Sequence, residues 1–229
     1  MDNPAQFASL YAEFDAPITS LDCGTKCAPY NNGIPVCCDT RHAVPTAYSA
    51  EWHYLQVNTD LWHLWIGETH AETARLQDEA PHLILIECLG HQHCQRNYRS
   101  LTCRAFPFAP YLNSVGQFLG LTYYWEYEDR CWVISNLDVV TDEYRRQFVN
   151  AFERVFDQIS GERDGFAQHS AEMRRVFAKD EQMIPLLHRD GGAFYVNPTT
   201  ETLSPTQADA FPKYDPFAVM DELRFPDEI

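Results

Sequence analysis

The most regular hydrophobic pattern in the chain follows Thr141. Large apolar residues recur there every three or four positions, which is the spacing of one face of an α-helix: Tyr144, Phe148, Phe152, Val155, Phe156 and Ile159. Thr141 suits the N-cap, and Asp142 and Glu143 suit the positive end of the helix dipole. Gly161 is a suitable stop. The pattern predicts a helix between Thr141 and Gly161, and another over about 164–178.

Weaker patterns in the first half predict three more helices. Residues 7–14 favour a short helix that ends before Pro17. Apolar residues at turn spacing predict a helix over about 47–57 and another over 61–76. Between the first of these helices and the second, residues 23–46 are rich in Cys, Gly, Pro and Asn, which is typical of irregular loops.

Two segments favour β-structure. The run from His82 to Ile86 is short, apolar and partly β-branched, so it predicts a buried strand leading into Cys88. Residues 118–127 and 131–134 look like two strands of a small hairpin, with charged residues at the turn. The expected fold class is α+β: a helix-rich single domain over 1–196, with irregular cysteine-bearing loops around a metal centre. Residues 197–229 are expected to form an acidic C-terminal extension.

Charge and hydropathy narrow the classes of function. The 229 residues include 33 acidic and 17 basic side chains, a net charge of −16. Such a surface repels nucleic-acid phosphates, so no nucleic acid is expected, whereas a basic protein partner suits it. No apolar run approaches the roughly 20 residues of a membrane helix. The first residues lack a basic segment followed by an apolar one, so a cytoplasmic location is expected.

Eight cysteines carry the chemistry. They form two clusters along the chain: Cys23, Cys27, Cys37 and Cys38, then Cys88, Cys94, Cys103 and Cys131. Disulfides are normally reduced in the cytoplasm, and converging thiolates suit zinc or the irons of an iron–sulfur cluster. The alternatives are buried cysteines that only pack, and disulfides if the protein is exported.

The spacing of the cysteines favours one shared centre over two separate ones. Adjacent cysteines such as Cys37 and Cys38 normally point different ways, so the first cluster does not easily close on one ion. The second cluster reaches four sulfurs only through the distant Cys131. We therefore predict that both clusters contribute to one centre, an iron–sulfur cluster rather than zinc. His91 and His93 are further possible ligands, and Arg99 and Arg104 are placed to offset the charge of the thiolates.

The motifs also resemble a known family. Cys23-Gly24-Thr25-Lys26-Cys27 followed by Cys37-Cys38 resembles the first half of the YkgJ-type cysteine-cluster proteins. Cys88, Cys94 and the run Cys103-Arg104-Ala105-Phe106-Pro107-Phe108 resemble the second half, and Cys131 fills the place of a further cysteine. Nine residues separate Cys27 from Cys37 where the family has few, and Ser100 stands where it usually has proline.

The resemblance implies a zinc- or iron-chelating domain. One branch of that family contains the flagellin lysine N-methylase, so the resemblance extends to a modifying enzyme that acts on a protein or a small molecule. The alternative is a non-catalytic, zinc-stabilised module that binds a partner protein through its acidic surface. The substrate does not follow from the sequence.

Overall fold

The computed structural model describes residues 3–218. Within that range the contacts divide the chain into two compact units, where the sequence had predicted a single domain. Unit 1 comprises residues 3–15 and 24–106, and unit 2 comprises residues 16–23 and 107–218. Mixed α+β structure is confirmed in both. None of the helices in this part of the chain is long and apolar enough to cross a membrane.

Unit 1 is built on a small antiparallel sheet with strand order β1-β3-β2. Its strands are β1 (Thr46–Ala47), β2 (Trp62–Leu64) and β3 (Ile84–Cys88). Its helices are α1 (Pro4–Glu13), α2 (Gly24–Cys27), α3 (Ser49–Asn58), α4 (His70–Glu79) and α5 (Leu101–Ala105). The predicted helices at 7–14 and 47–57 correspond to α1 and α3, and the strand predicted before Cys88 is β3.

The helix predicted over 61–76 is wrong in its first half. Residues 62–64 form β2, where Trp62 lies opposite Cys88 and Leu64 opposite Ile86. The helix starts only at His70, because the Thr69 hydroxyl accepts a hydrogen bond from the Glu72 amide (3.1 Å) and caps it. Pairing with β3 outweighs the helical spacing of the apolar residues.

Unit 2 contains a five-stranded antiparallel sheet with the order β4-β5-β6-β7-β8. The strands are β4 (Phe108–Leu112), β5 (Phe118–Tyr123), β6 (Ile184–His188), β7 (Ala193–Val196) and β8 (Leu203–Thr206). Helices α6 (Asp142–Gln158) and α7 (Glu162–Lys179) connect β5 to β6 and confirm the two predicted helices. The Thr141 hydroxyl caps α6 by accepting from the Tyr144 amide (3.1 Å), and Gly161 has φ +88°.

The predicted hairpin of residues 118–134 is a second correction. Strand β5 pairs with the preceding β4, so that Phe108 lies opposite Tyr123. The turn between them is fixed by Asn113, whose side chain accepts from the Gln117 amide (2.8 Å). Residues 131–134 form no strand; they are a buried apolar stretch without strand pairing.

The predicted boundary after residue 196 stays a prediction. Residues 203–206 of the expected extension form β8, and Phe211 and Phe217 are buried in unit 2. Residues 219–229 of that extension lie outside the described residues.

Candidate metal centre in unit 1

Unit 1 holds six of the eight cysteines. They are Cys27, Cys37, Cys38, Cys88, Cys94 and Cys103, and they come from both sequence clusters. Cys23 and Cys131 belong to unit 2. Cys27 ends α2, and its Sγ lies 3.6 Å from the carbonyl oxygen of Gly24.

The adjacent pair Cys37 and Cys38 lies on a 3₁₀ turn, Val36–Cys38. Their sulfurs are 3.8 Å apart. The expectation that adjacent cysteines point different ways is therefore wrong here: both sulfurs face the same small region. Helix α2, which carries Cys27, packs against this turn.

The loop that presents the pair is fixed by the buried carboxylate of Asp39. It accepts hydrogen bonds from the Asn31 side chain (3.0 Å), the Arg41 amide (3.1 Å) and the Arg41 Nε (2.9 Å). The hydrogen bonds from Arg41 hold the pKa of Asp39 well below its usual range, against the opposing effect of burial. Asn31 in turn contacts the His42 ring at 3.0 Å. The irregular loop predicted from composition is thus held in one conformation by side-chain hydrogen bonds.

The other three cysteines approach from different elements. Cys88 ends β3, Cys94 follows the 3₁₀ turn His91–His93, and Cys103 lies in α5. The Ser100 hydroxyl caps α5 by accepting from the Cys103 amide (3.3 Å). Because serine supplies this cap, the departure from the proline of the resembled family has a local structural role.

Electrostatic interactions connect the two cysteine clusters within unit 1. Cys103 interacts with Cys38 and Cys88, and Cys88 also interacts with Cys94. Cys103 is half-buried as a residue, but burial of its thiol raises the pKa to about 12. Burial likewise raises the pKa of Cys88. The positive charge of the nearby Arg99 acts to lower the pKa of Cys103, but it does not outweigh burial.

Arg99 is the cation that touches sulfur. Its Nε donates a hydrogen bond to the Sγ of Cys94 at 3.1 Å. Burial acts to lower the pKa of Arg99, but the hydrogen bond that it donates to Cys94 and the electrostatic effect of Cys94, Cys103 and Cys37 outweigh burial and raise the pKa. Arg99 therefore stays charged beside the sulfurs.

Arg104, the other arginine predicted to offset charge, has a different environment. Its buried guanidinium lies 4.2 Å from the centre of the Tyr11 ring. The guanidinium donates to backbone carbonyls of Tyr11 (3.3 Å), Phe14, Arg96 (3.4 Å), Asn97 (2.8 Å) and Arg99 (2.9 Å). Arg104 thus ties α1 to the loop that carries Arg99.

Glu51 completes this buried network, and no sequence motif marks it as part of the site. Its carboxylate accepts from the Tyr11 hydroxyl (2.5 Å), the Leu101 amide (2.6 Å) and the Tyr48 amide (3.1 Å). Burial raises its pKa despite these hydrogen bonds. The position of Glu51, three residues after Tyr48, signals a helix cap. Its long-range bond to the start of α5 has no sequence signal.

The two histidines of the candidate site stay predicted ligands. His91 is half-buried and His93 exposed, both on the turn before Cys94. Within residues 3–218, no three or more His, Cys, Asp or Glu side chains are already arranged to hold a metal ion. The donor chemistry nevertheless fits a thiolate-bound metal, because five cysteines interact in unit 1 beside the charged Arg99.

Comparisons with known proteins give no relative. No family model matches the chain, and searches of the curated proteins and of the solved structures find no match either. The resemblance to the cysteine-cluster family accordingly rests on the motifs around Cys23–Cys38 and Cys88–Phe108 alone.

Proposed function

We propose that unit 1 is a metal-binding module whose centre is held by thiolates from both cysteine clusters, as in the YkgJ-type proteins it resembles. The observation that carries the proposal is that hydrogen bonds hold the segment after Cys38 against the elements of Cys88 and Cys103, which are 50 or more residues away in the sequence. The Thr40 hydroxyl donates to Glu87 of β3 (3.3 Å), and the Thr102 hydroxyl of α5 donates to the Thr46 carbonyl (2.9 Å). The three cysteines lie on different elements, and the binding of one metal centre would explain why the fold brings them together.

An iron–sulfur cluster is the first candidate for the bound group, and zinc or a single iron the second. Thiolates bind both metals well, so the donor set alone does not choose between them. Iron would supply redox chemistry, and zinc would supply structural cross-linking or Lewis acidity. Arg99, through its bond to Cys94, supports either group because it offsets the negative charge of several thiolates.

Two biological roles follow from this centre. The first is a modifying enzyme of the kind that the lysine N-methylase branch represents, acting on a protein or a small molecule. The second is a non-catalytic, zinc-stabilised module for a basic partner protein. The second is supported by the charge distribution, because most of the acidic residues belong to unit 2, away from the cysteine cluster in the sequence.

Purification without oxygen, followed by metal and sulfide analysis, tests the proposal. We expect tightly bound iron with inorganic sulfide, or zinc without it. Cys88→Ser and Cys103→Ser should each lower the metal content at least ten-fold. A folded wild-type protein that binds neither iron nor zinc, even after reconstitution, would contradict the proposal.

A further inference from the structure

Unit 2 contains an open cavity of about 270 Å³. It lies between the start of α6, the turn from β6 to β7, and the end of β8. Much of its lining is apolar: Leu137, Leu187 and Ala193 are buried, and Val140 and Ala208 are half-buried. Pockets for drug-sized ligands measure roughly 300–1,000 Å³, so this cavity suits a smaller molecule with an apolar part.

Arg145 supplies the positive charge of the cavity. Its side chain is only 15% exposed, and its Nη2 lies close to the turn after β6, since a Cβ on Gly191 would be 3.6 Å away. Among residues 3–218 the guanidinium donates to one acceptor, the carboxylate of Asp142 (2.6 Å), which is itself 88% exposed. A guanidinium has five N–H donors in a planar fork that matches a carboxylate. Arg145 therefore has donors left for the carboxylate of a ligand.

Two carboxylates share the cavity with Arg145. Asp142 is the first residue of α6, and Asp138 lies on the 3₁₀ turn Leu137–Val139 with its side chain exposed. The two acidic side chains outnumber the single basic one, so the lining is negative on balance. A simple anion would be attracted by Arg145 and repelled by Asp138, whereas a molecule with both charges is attracted by both residues.

We propose that this cavity binds a free α-amino acid with an apolar side chain. The ligand carboxylate accepts hydrogen bonds from Arg145, and the ligand ammonium group pairs with Asp138. The apolar side chain packs against the buried part of the lining, which includes Leu187. The site lies wholly in unit 2 and does not depend on the metal centre proposed for unit 1.

The backbone around the cavity is fixed by its own hydrogen bonds. In the turn after β6, the His188 amide donates to the Gly192 carbonyl and the Gly191 amide donates to the His188 carbonyl, both at 3.0 Å. Gly191 and Gly192 have φ +106° and +80°, a region that favours glycine, so this part of the wall is backbone. A wall that is already ordered loses little conformational freedom when a ligand binds.

Isothermal titration calorimetry of the full-length protein tests the inference with three probes. L-Leucine carries both charges, 4-methylpentanoate lacks the ammonium group, and 3-methylbutylamine lacks the carboxylate. We expect one L-leucine to bind per chain, at least ten-fold more tightly than either analogue. Arg145→Gln should weaken L-leucine binding at least ten-fold.

Arg146→Gln is the matched control for Arg145→Gln. Arg146 is the next residue of α6 and pairs with Glu143 at the same i,i+3 spacing, but its side chain is 67% exposed and is not part of the lining. Its substitution should leave L-leucine binding unchanged.

Asp138→Asn separates recognition of the ligand from an effect on the fold. It should weaken the binding of L-leucine, because the ammonium group loses its partner. It should also strengthen the binding of 4-methylpentanoate, because a repulsion is removed. A purely structural role of Asp138 does not produce these opposite changes.

Three results would overturn the inference. If the folded wild-type protein does not bind L-leucine, there is no such site, and the metal-binding proposal is unaffected. If Arg145→Gln and Arg146→Gln bind L-leucine equally well, Arg145 does not hold the carboxylate. If 4-methylpentanoate binds as tightly as L-leucine, the ligand is not recognised as an amino acid. Circular dichroism checks the fold of each variant, and Asp138→Asn decides alone if Arg145→Gln does not fold.

Discussion

Arg99 and Arg104 are five residues apart, yet their guanidinium groups have different neighbours. Arg99 donates to the Cys94 sulfur, and Arg104 donates to backbone carbonyls and lies over Tyr11. Substitutions of these two arginines can therefore distinguish an effect on the proposed metal centre from an effect on the stability of the fold.

We expect Arg99→Gln to shift the absorption bands of the metal-loaded protein while the chain stays folded, because it removes an N–H···S bond to a thiolate. Arg104→Gln should leave those bands in place and lower the free energy of unfolding by about 2–3 kcal/mol, since buried carbonyls lose their donor. Absorption spectra and urea denaturation of both variants decide this. A spectral shift confined to Arg104→Gln would reverse the assignment.

Glu51 is expected to be the most sensitive single residue in the buried network of unit 1. Replacing it by Ala leaves the Tyr11 hydroxyl and the Leu101 amide without their acceptor, which should cost about 3 kcal/mol of unfolding free energy. Tyr11→Phe, which removes only the hydroxyl, should cost clearly less. Urea denaturation of the two variants gives the comparison, and equal losses would count against a shared role of Glu51 in holding α5.

His169 makes the stability of unit 2 depend on pH. Its ring stacks on Trp125 (5.0 Å) and contacts Tyr124 (5.1 Å), and its buried Nε2 has no hydrogen-bond partner. Burial lowers its pKa to about 4, although the nearby Glu172 acts in the opposite direction. The imidazole is thus neutral in the folded protein over the range in which it takes up a proton in the unfolded chain.

The stability that His169 contributes is therefore lost as the pH falls from about 6.5 to about 4, where the unfolded chain binds more protons. The loss should be on the order of 2–3 kcal/mol. His169→Phe keeps the ring stacking and removes the titration. Its unfolding free energy should fall less than that of the wild type between pH 7 and pH 4.5, and identical pH profiles would refute this role.

At the scale of elements, the contact between β5 and β6 depends on a glycine. Gly120 has φ +151°, and a Cβ placed on it would lie 2.2 Å from the Leu187 carbonyl oxygen. Backbone cannot give way as a flexible side chain does, so any larger residue must push the two strands apart.

We expect Gly120→Ala to lower the free energy of unfolding by about 3 kcal/mol or more, from strain and lost sheet pairing. Gly116→Ala is the matched control. Gly116 also has a positive φ (+76°), but nothing lies within 4 Å of its Cβ position, so its substitution should cost about 1–2 kcal/mol. Thermal denaturation of both variants measures the difference.

The elements that the sequence predicts correctly are those with local signals. Helix α6 follows from the Thr141 cap, its apolar stripe and the glycine stop, all within one segment. Strand β2 and the pairing of β4 with β5 are set by partners that lie elsewhere in the chain, so helical or hairpin spacing misleads there. The candidate site shows the same division: its cysteines are visible in the sequence, whereas Asp39 and Glu51 become important only through contacts that folding creates.

At the scale of the whole molecule, the two units should respond differently to loss of metal. The proposed metal, by joining cysteines of α5, β3 and the loop before α3, would stabilise unit 1, since its binding free energy would add to that of folding. Unit 2 is built on its own five-stranded sheet and contains none of the six cysteines of unit 1.

We expect an anaerobic chelator to increase hydrogen exchange in α5 and β3 by at least ten-fold while the amides of β5 and β6 stay protected. Hydrogen exchange of the full-length protein, with and without chelator, makes the comparison. Equal deprotection of both units would mean that the metal stabilises the chain as one cooperative body.

The path of the chain between the units has a consequence for its synthesis. Residues 16–23 belong to unit 2 but emerge from the ribosome before most of unit 1. In the folded protein the carbonyls of Pro17 and Ile18 accept from the hydroxyl (3.1 Å) and amide (2.9 Å) of Thr141, the cap of α6. Until Thr141 is translated, those carbonyls remain bound to water. Residues 16–23 therefore wait for their partner while the rest of the chain is still being made, and a fragment beginning at residue 107 would lack that segment altogether.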